Sequence, residues 1–254
     1  MDPLLNFENQ TAIITGAASG FGRALAIALN QRACQLVLSD IDESGLEQTR
    51  KLLTSPEKCK TLIVNVASEE GAETMVKKAL DAFGSLTIAV NNAGVAHKQA
   101  AIHDLSGEIF DNQFDINVKG VAFGMKHQIR AMLQQGSGHI LNVSSMAGIG
   151  GAPKGGAYSA AKHAVVGLTR TAAVEYGRYN VRCNAICPFF SPTDILEKGG
   201  MGSEENKAKL GIGSPMKRIS KIEEIVNVML LTLSPGNTYM NGQTIAVDGG
   251  VSAW

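Results

Sequence analysis

Short, unbroken apolar runs alternate along this chain with longer stretches in which apolar residues recur every three or four positions. The runs Thr11–Gly16, Gln35–Asp40, Thr61–Val66, Leu86–Asn91, His139–Ser144, Val181–Ile186 and Gln243–Val247 predict seven strands. The stretches Gly20–Arg32, Glu43–Leu53, Glu69–Phe83, Asn112–Gln134, Tyr158–Tyr176 and Ile222–Leu233 carry the helical period and predict helices between them. Strands that alternate with helices of ten or more residues build parallel βαβ units. Continuous cores such as Ala12-Ile13-Ile14 and Leu36-Val37-Leu38, without polar alternation, predict strands covered on both faces. The fold class is therefore α/β, a doubly wound and mostly parallel seven-stranded sheet flanked by helices. In such sheets ligands bind outside the carboxyl ends of the strands, so the residues just after each strand carry the chemical interest.

One region breaks the rhythm. Between Pro188 and Ser220 the chain is rich in Gly, Ser and Met, with Pro192 and Pro215. A segment this long that follows directly on a strand predicts a lid loop over the site. With 254 residues and no internal repeat or linker, the chain reads as one domain, 1–254. Its 44% hydrophobic and 18% charged residues suit a soluble globular enzyme. The 23 basic residues balance the 23 acidic ones, which gives no electrostatic reason to expect nucleic acid or an anionic membrane as partner. Cys34, Cys59, Cys183 and Cys187 form no CxxC pair and have no histidine cluster, so free thiols are expected rather than a metal site. Met1–Gln10 lacks the basic start and apolar run of a secretion signal, and no stretch approaches the ~18 apolar residues of a membrane span. A cytoplasmic location is the expectation.

The first strand runs into Thr15-Gly16-Ala17-Ala18-Ser19-Gly20-Phe21-Gly22, a TGxxxGxG pattern. Glycines here permit a tight turn and a close backbone approach to a pyrophosphate, whose charge a helix N-terminus favours. Gly16, Ser19, Gly20, Phe21 and Gly22 are the candidate phosphate-binding residues. Asp40 closes the second strand, 24 residues after Gly16, and is followed by Ile41 and Asp42 rather than by a basic residue. A carboxylate there accepts from ribose hydroxyls and repels a 2′-phosphate, which predicts NAD over NADP. Arg23 lies past the glycines and does not change that expectation.

Further along, the chain resembles the short-chain dehydrogenases/reductases, a Rossmann-fold family. The resemblance runs from Thr15 to Val247-Asp248-Gly249-Gly250. Asn91-Asn92-Ala93-Gly94 is similar to the family's NNAG motif and Asn65-Val66 to its Asp-Val pair. The resemblance implies that Asn65, Val66, Asn92, Ala93 and Gly94 line the cofactor. Tyr158-Ser159-Ala160-Ala161-Lys162 is a YxxxK motif, whose spacing puts Tyr158 and Lys162 one turn apart on one helix face. A free phenol has a pKa near ~10, and lowering it to ~7 takes about 4 kcal/mol of preferential phenolate stabilisation. A nearby ammonium and the positive nicotinamide ring together are expected to supply it, so that Tyr158 moves the substrate proton. Ser145, 13 residues before Tyr158, matches the family's catalytic serine, with Ser144 as its competitor. Asn117, in Asn117-Val118-Lys119-Gly120, matches the fourth member, which positions a water beside the lysine. Lys162 is implied to hold the nicotinamide ribose as well.

The pattern departs after the sixth strand. The family has Pro-Gly and then a threonine that contacts the cofactor, whereas here Pro188 is followed by Phe189-Phe190-Ser191-Pro192-Thr193. Pro188 and Thr193 remain cofactor candidates, and Phe189 in place of glycine adds a ring near the substrate. Met146, Ile149 and Gly150 are expected to form a pocket wall. Ser145, Met146, Tyr158 and Phe189 are thus the substrate-binding candidates, and the two phenylalanines hint at an apolar substrate. Of five histidines, only His97 follows a strand end. The function so implied is NAD-dependent interconversion of a secondary alcohol and a ketone by hydride transfer, with no metal. A 3-oxoacyl-carrier-protein reductase using NADPH is the alternative, and Asp40 and the balanced charge argue against it. A catalytically silent NAD-sensing regulator is a third, and the presence of Ser145, Tyr158 and Lys162 argues against that. The family also implies a homo-oligomer, a tetramer or dimer.

Overall fold

The computed structural model describes residues 3–253; Met1 and Asp2, which open the N-terminal segment read above, lie outside them. Seven strands form one parallel sheet: β1 (Thr11–Thr15), β2 (Gln35–Asp40), β3 (Cys59–Ile63), β4 (Ile88–Asn91), β5 (Gly138–Val143), β6 (Val181–Pro188) and β7 (Thr244–Val247). Their spatial order is β3-β2-β1-β4-β5-β6-β7. The order reverses between β1 and β4, which pair from Ala12↔Ile88 to Ile14↔Val90. Such a reversal leaves a crevice beyond the strand ends, because the two connections leave toward opposite faces.

The helices are α1 (Gly20–Asn30), α2 (Glu43–Lys51), α3 (Glu69–Phe83), α4 (Gly107–Phe114), α5 (Gly120–Gln135), α6 (Gly156–Tyr176), the single turn α7 (Asp194–Leu196), α8 (Glu204–Ile212) and α9 (Ile222–Leu233). On one face, Leu25, Leu29, Leu46, Ile225 and Met229 bury α1, α2 and α9 against Ile14, Leu36 and Leu38. On the other, Met75, Met125, Ile129 and Val165 bury α3, α5 and α6 against Ile13, Val37 and Ala89. Successive strand residues thus feed opposite cores, which accounts for apolar runs without alternation.

Three expectations differ in detail. The third strand ends at Ile63 and the chain reaches Asn65 and Val66 as a turn, with Ser68 N–H donating to the Asn65 carbonyl at 3.0 Å. The helix expected over Asn112–Gln134 begins at Gly107 and is interrupted by a π-turn, Asp115–Lys119, before α5. The segment 188–220 is not a bare loop, since it holds α7, a π-turn at Glu197–Met201 and α8, capped by the Ser203 hydroxyl. Among the described residues no helix is long and apolar enough to cross a membrane. All four cysteines are buried and free.

Candidate active site

The glycine turn is fixed by side chains from the neighbouring strand. Asn92 Nδ2 donates to the carbonyls of Thr15 (2.9 Å) and Gly16 (3.1 Å). In return the Thr15 hydroxyl accepts from Asn92 N and Ala93 N, both at 3.0 Å. A Cβ on Gly22 would overlap the Gly16 carbonyl oxygen and lie 2.8 Å from Asn92 Nδ2, so no other residue fits that turn unchanged. Ser19, the residue before α1, makes no side-chain cap, so its hydroxyl takes none of the first-turn N–H groups. Bare N–H groups at a helix start, reached over a backbone without side chains, fit the pyrophosphate of a dinucleotide.

Asp40 stands at the mouth of this turn. Its Oδ2 accepts from Ala18 N at 3.0 Å, and Oδ1 accepts from Ile41 N at 2.8 Å and Asp42 N at 3.1 Å. The carboxylate thus braces the turn and keeps lone pairs for further donors. Ile41 beside it is largely exposed. Arg23 is committed elsewhere: its guanidinium reaches Thr49 Oγ1 at 3.0 Å and the carbonyls of Ala18 and Gly45, tying α1 to α2. It therefore offers no loose cation beside Asp40. Asn65 Oδ1 accepts from Ala67 N at 3.0 Å, which leaves its amide protons to face outward. Val66 packs on Gly120, where a Cβ would lie 2.9 Å from Val66 Cγ2.

Deeper in the crevice Ser145, Tyr158, Lys162 and Asn117 come together. Ser144 and Ser145 leave β5 on opposite sides. The Ser144 hydroxyl is buried and donates to the Lys162 carbonyl at 2.9 Å, whereas Ser145 Oγ accepts from Ala147 N at 3.1 Å and stands close enough to the Tyr158 phenol to draw its pKa down. Ser145, the serine that the spacing to Tyr158 favoured, is thus the one beside the phenol. Lys162 Nζ lies 5.6 Å from the centre of the Tyr158 ring, one helical turn away on α6, and donates to the Val143 carbonyl at 2.8 Å. Burial draws its pKa down to about 8, an effect the Cys187 sulfur only partly opposes. Burial likewise raises the Tyr158 phenol, and the Ser145 hydroxyl pulls the other way. In the protein alone the phenol is thus held protonated; the lowering expected from the sequence requires the positive nicotinamide ring as well as Lys162. A further positive charge, beyond Lys162, is needed to make it a base.

Asn117 is fully buried inside the π-turn. Its Oδ1 accepts from Val95 N and its Nδ2 donates to the Val95 carbonyl, both at 2.9 Å. Gly94 sits between Asn117 and Lys162: a Cβ there would lie 2.7 Å from Asn117 Oδ1 and 3.4 Å from Lys162 Nζ. Gln113, which the sequence reading passed over, accepts from Asn117 Nδ2 at 2.9 Å. Its one signal was its place four positions before Asn117, on the same helix face.

Past β6, Thr193 closes over the glycine turn, with its Cγ2 3.3 Å from where a Cβ on Gly20 would stand. Pro188 is buried at the end of β6. Phe189 stacks edge-on with Phe190 at 4.8 Å and lines a cavity of about 130 Å³ with Met216, Arg218, Val247 and Asp248. Neither Ser145 nor Tyr158 lines that cavity. Segment 188–220 meets the segment after β4 where Gln99 Nε2 reaches Met201 Sδ at 3.1 Å. That segment also bridges Ala100 to Gly155, just before Tyr158, and Met146 follows Ser145 into the same space. His97 lies in it, with Nδ1 2.8 Å from the Lys98 carbonyl. His103 and His163 are exposed, His127 is largely covered with Nε2 3.4 Å from Glu69, and His139 is buried inside the sheet. Among the described residues no group of three or more acidic, histidine or cysteine side chains could hold a metal.

The family model described as enoyl-(acyl carrier protein) reductase matches residues 16–252. Levodione reductase of Leifsonia aquatica is 36% identical over 99% of this chain and 97% of its own. Cis-4-hydroxycyclohexanecarboxylate dehydrogenase of Sinomonas cyclohexanicum is 34% identical over 97% of this chain and 98% of its own. Cyclohexanol dehydrogenase of an Acinetobacter strain is 32% identical, covering 96% and 95%. Among solved structures, levodione reductase superimposes with a TM-score of 0.93 at 34% identity, covering 97% of this chain and 99% of the other. The 3-ketoacyl-(acyl-carrier-protein) reductase of Brucella melitensis, complexed with NADH, gives a TM-score of 0.90 at 28% identity, with 97% and 99% covered. ElxO with bound NADP gives 0.90 at 25%, with 96% and 99% covered.

Proposed function

The chain belongs to the short-chain dehydrogenase/reductase family and is an oxidoreductase; on that premise we propose that it interconverts an alicyclic secondary alcohol and its ketone with NAD(H). The observation that carries the reading is the Ser145 hydroxyl set against the Tyr158 phenol, whose pKa it lowers, with Lys162 Nζ 5.6 Å from the ring centre. Two hydroxyls that meet at one point, at the carboxyl end of the sheet, give a carbonyl oxygen two donors at once.

Bound NAD supplies the hydride acceptor for the alcohol carbon, and NADH the donor in the reverse direction. Gly16, Ser19, Gly20, Phe21 and Gly22 would hold its pyrophosphate, Asp40 its adenosine ribose, and Lys162 its other ribose. Asn65, Val66, Asn92, Ala93 and Gly94, with Pro188 and Thr193, complete that wall, and Ile41 borders it. In ketone reduction the buried, protonated Tyr158 donates its proton to the carbonyl oxygen while Ser145 steadies the developing charge. In alcohol oxidation Tyr158 takes the proton, and Lys162, still charged at neutral pH, favours its phenolate. Asn117 holds the Gly94–Val95 backbone beside Lys162 and completes the catalytic set.

NAD is preferred to NADP because the Asp40 carboxylate would face a 2′-phosphate and Arg23 is already engaged. The substrate class follows from three relatives whose names carry a six-membered carbocycle: a hydroxycyclohexanecarboxylate dehydrogenase, a cyclohexadienediol dehydrogenase and a cyclohexanol dehydrogenase. A homo-oligomer in the cytoplasm, with segment 188–220 as a lid that includes Phe189, completes the proposal. A second reading, reduction of 3-oxoacyl thioesters, is favoured only by the Brucella neighbour. The test is a panel of cyclohexanone, 4-oxocyclohexanecarboxylate, 2-heptanone and acetoacetyl thioester, each with NADH and NADPH. The highest kcat/KM is expected for a cyclic ketone with NADH. A preference for the thioester with NADPH would replace this reading by the second.

A further inference from the structure

We infer that Gln113 is a positioning residue for proton transfer, acting through Asn117; the inference rests on the roles just proposed for Asn117, Tyr158 and Lys162. Gln113 and Asn117 lie four residues apart where α4 passes into the π-turn, and both are fully buried. All of the Asn117 amide protons are used: one goes to the Val95 carbonyl and the other to Gln113 Oε1, each at 2.9 Å. Gln113 Nε2, in contrast, meets no acceptor in the protein.

That unpaired donor is the informative feature. A buried N–H without an acceptor is destabilising, so burial alone would favour an apolar residue at this position. A leucine at 113 would remove the unpaired Nε2 but leave one Asn117 proton unpaired in its place. Exchanging one unpaired donor for another changes stability little, so stability gives no reason for an amide here. What the amide adds is a fixed second wall for the Asn117 side chain.

The consequence runs through the backbone. Asn117 grips Val95 by both N–H and carbonyl, and Val95 follows Gly94, where a Cβ would lie 2.7 Å from Asn117 Oδ1 and 3.4 Å from Lys162 Nζ. Any tilt of the Asn117 amide drives Gly94 toward the ammonium. Lys162 is held on its far side by the Val143 carbonyl, and its distance from the Tyr158 ring depends on staying there. Gln113 thus sets the position of the cation behind the phenol without touching substrate.

The test compares Gln113→Leu, Gln113→Glu, Asn117→Ala and the double variant Gln113→Leu/Asn117→Ala, using NADH and the fastest ketone of the panel above. Gln113→Leu is expected to lower kcat on the order of tenfold, with both KM values within about twofold and little change in Tm. Gln113→Glu keeps an oxygen that accepts from Asn117 Nδ2, as a buried and therefore protonated carboxyl, and is expected to restore most of kcat. The double variant should be no slower than Asn117→Ala alone, since both act on one element. Wild-type kcat in Gln113→Leu, equal losses in the Leu and Glu variants, or independent losses in the double variant would each overturn the inference. If Asn117→Ala is slow while Gln113→Leu is not, only the role of Gln113 falls; if Asn117→Ala keeps wild-type kcat, the parent reading of Asn117 falls with it.

Discussion

At the glycine-turn end of the crevice almost every contact is made by backbone, or by a side chain that grips backbone. Asn92, Thr15 and Asp40 all hold main-chain groups of the first turn or of its neighbours. In segment 188–220, backbone bonds such as Ser220 N–H to the Phe190 carbonyl are joined by contacts between side chains, such as Gln99 with Met201 and Phe189 with Phe190. Backbone-defined geometry admits one residue type at each position, whereas side-chain contacts admit many that fill similar space. The first end is therefore built for a constant ligand and the second for a variable one.

The largest effect that can break this contrast is expected at Gly22. Gly22→Ala would push a methyl into the Gly16 carbonyl and Asn92, opening the turn. NADH binding is expected to weaken beyond detection, with about 1–3 kcal/mol lost from folding stability as for other overpacked sites. Fluorescence titration and thermal melts would check it, and unchanged binding would mean that the turn does not hold the cofactor. Asp40→Ala comes next. Loss of the carboxylate should shift the NADH/NADPH binding ratio toward NADPH by on the order of tenfold. A ratio that stays constant would remove Asp40 from cofactor choice.

At the lid, Met201→Ala is expected to change the ketone KM a few-fold while leaving NADH affinity alone, because Met201 meets Gln99 rather than the glycine turn. An equal change in both affinities would erase the distinction between the two ends. The smallest effect lies in the sheet that both ends share. His139 is buried with Nδ1 3.1 Å from Arg182 and Nε2 3.0 Å from Asn184. Burial first, and then the Arg182 charge, hold its pKa down to about 3. The unfolded chain binds a proton below about pH 6.5 that the native state refuses until about pH 3. This contribution to stability is therefore complete above pH 6.5 and lost as pH falls through that window. His139→Gln should show a smaller drop in Tm between about pH 7.5 and about pH 5 than the parent protein; an equal drop would clear His139 of that role.

The same contrast governs what the sequence revealed. The strands β1 and β2 were readable because burial on both faces leaves the apolar runs Ala12-Ile13-Ile14 and Leu36-Val37-Leu38, and α9 was readable from its period. Gly16, Gly22 and Asp40 were readable because a backbone requirement narrows the residue choice. The π-turn at Asp115–Lys119 was not, since one extra residue per turn leaves the apolar spacing of a long helix nearly intact. Gln113 escaped because it lies among other polar residues, Asp111, Asn112 and Asp115, and its burial appears only in the folded chain. The helix α8 was hidden by the glycines, serines and prolines around it, although Ser203 before Glu204-Glu205 is a start signal. The raised phenol of Tyr158 could not be read from a four-residue spacing, because burial is a property of the folded site.

The proton path can be put to one direct test, in which NADH binding and ketone turnover are measured side by side in Tyr158→Phe. The phenyl ring keeps its place against Lys162 and removes only the hydroxyl that Ser145 meets, so NADH affinity should stay within about threefold while turnover falls by ~10³ or more. Turnover near that of the parent protein, with NADH still bound, would contradict the assignment of Tyr158 as the group that carries the proton.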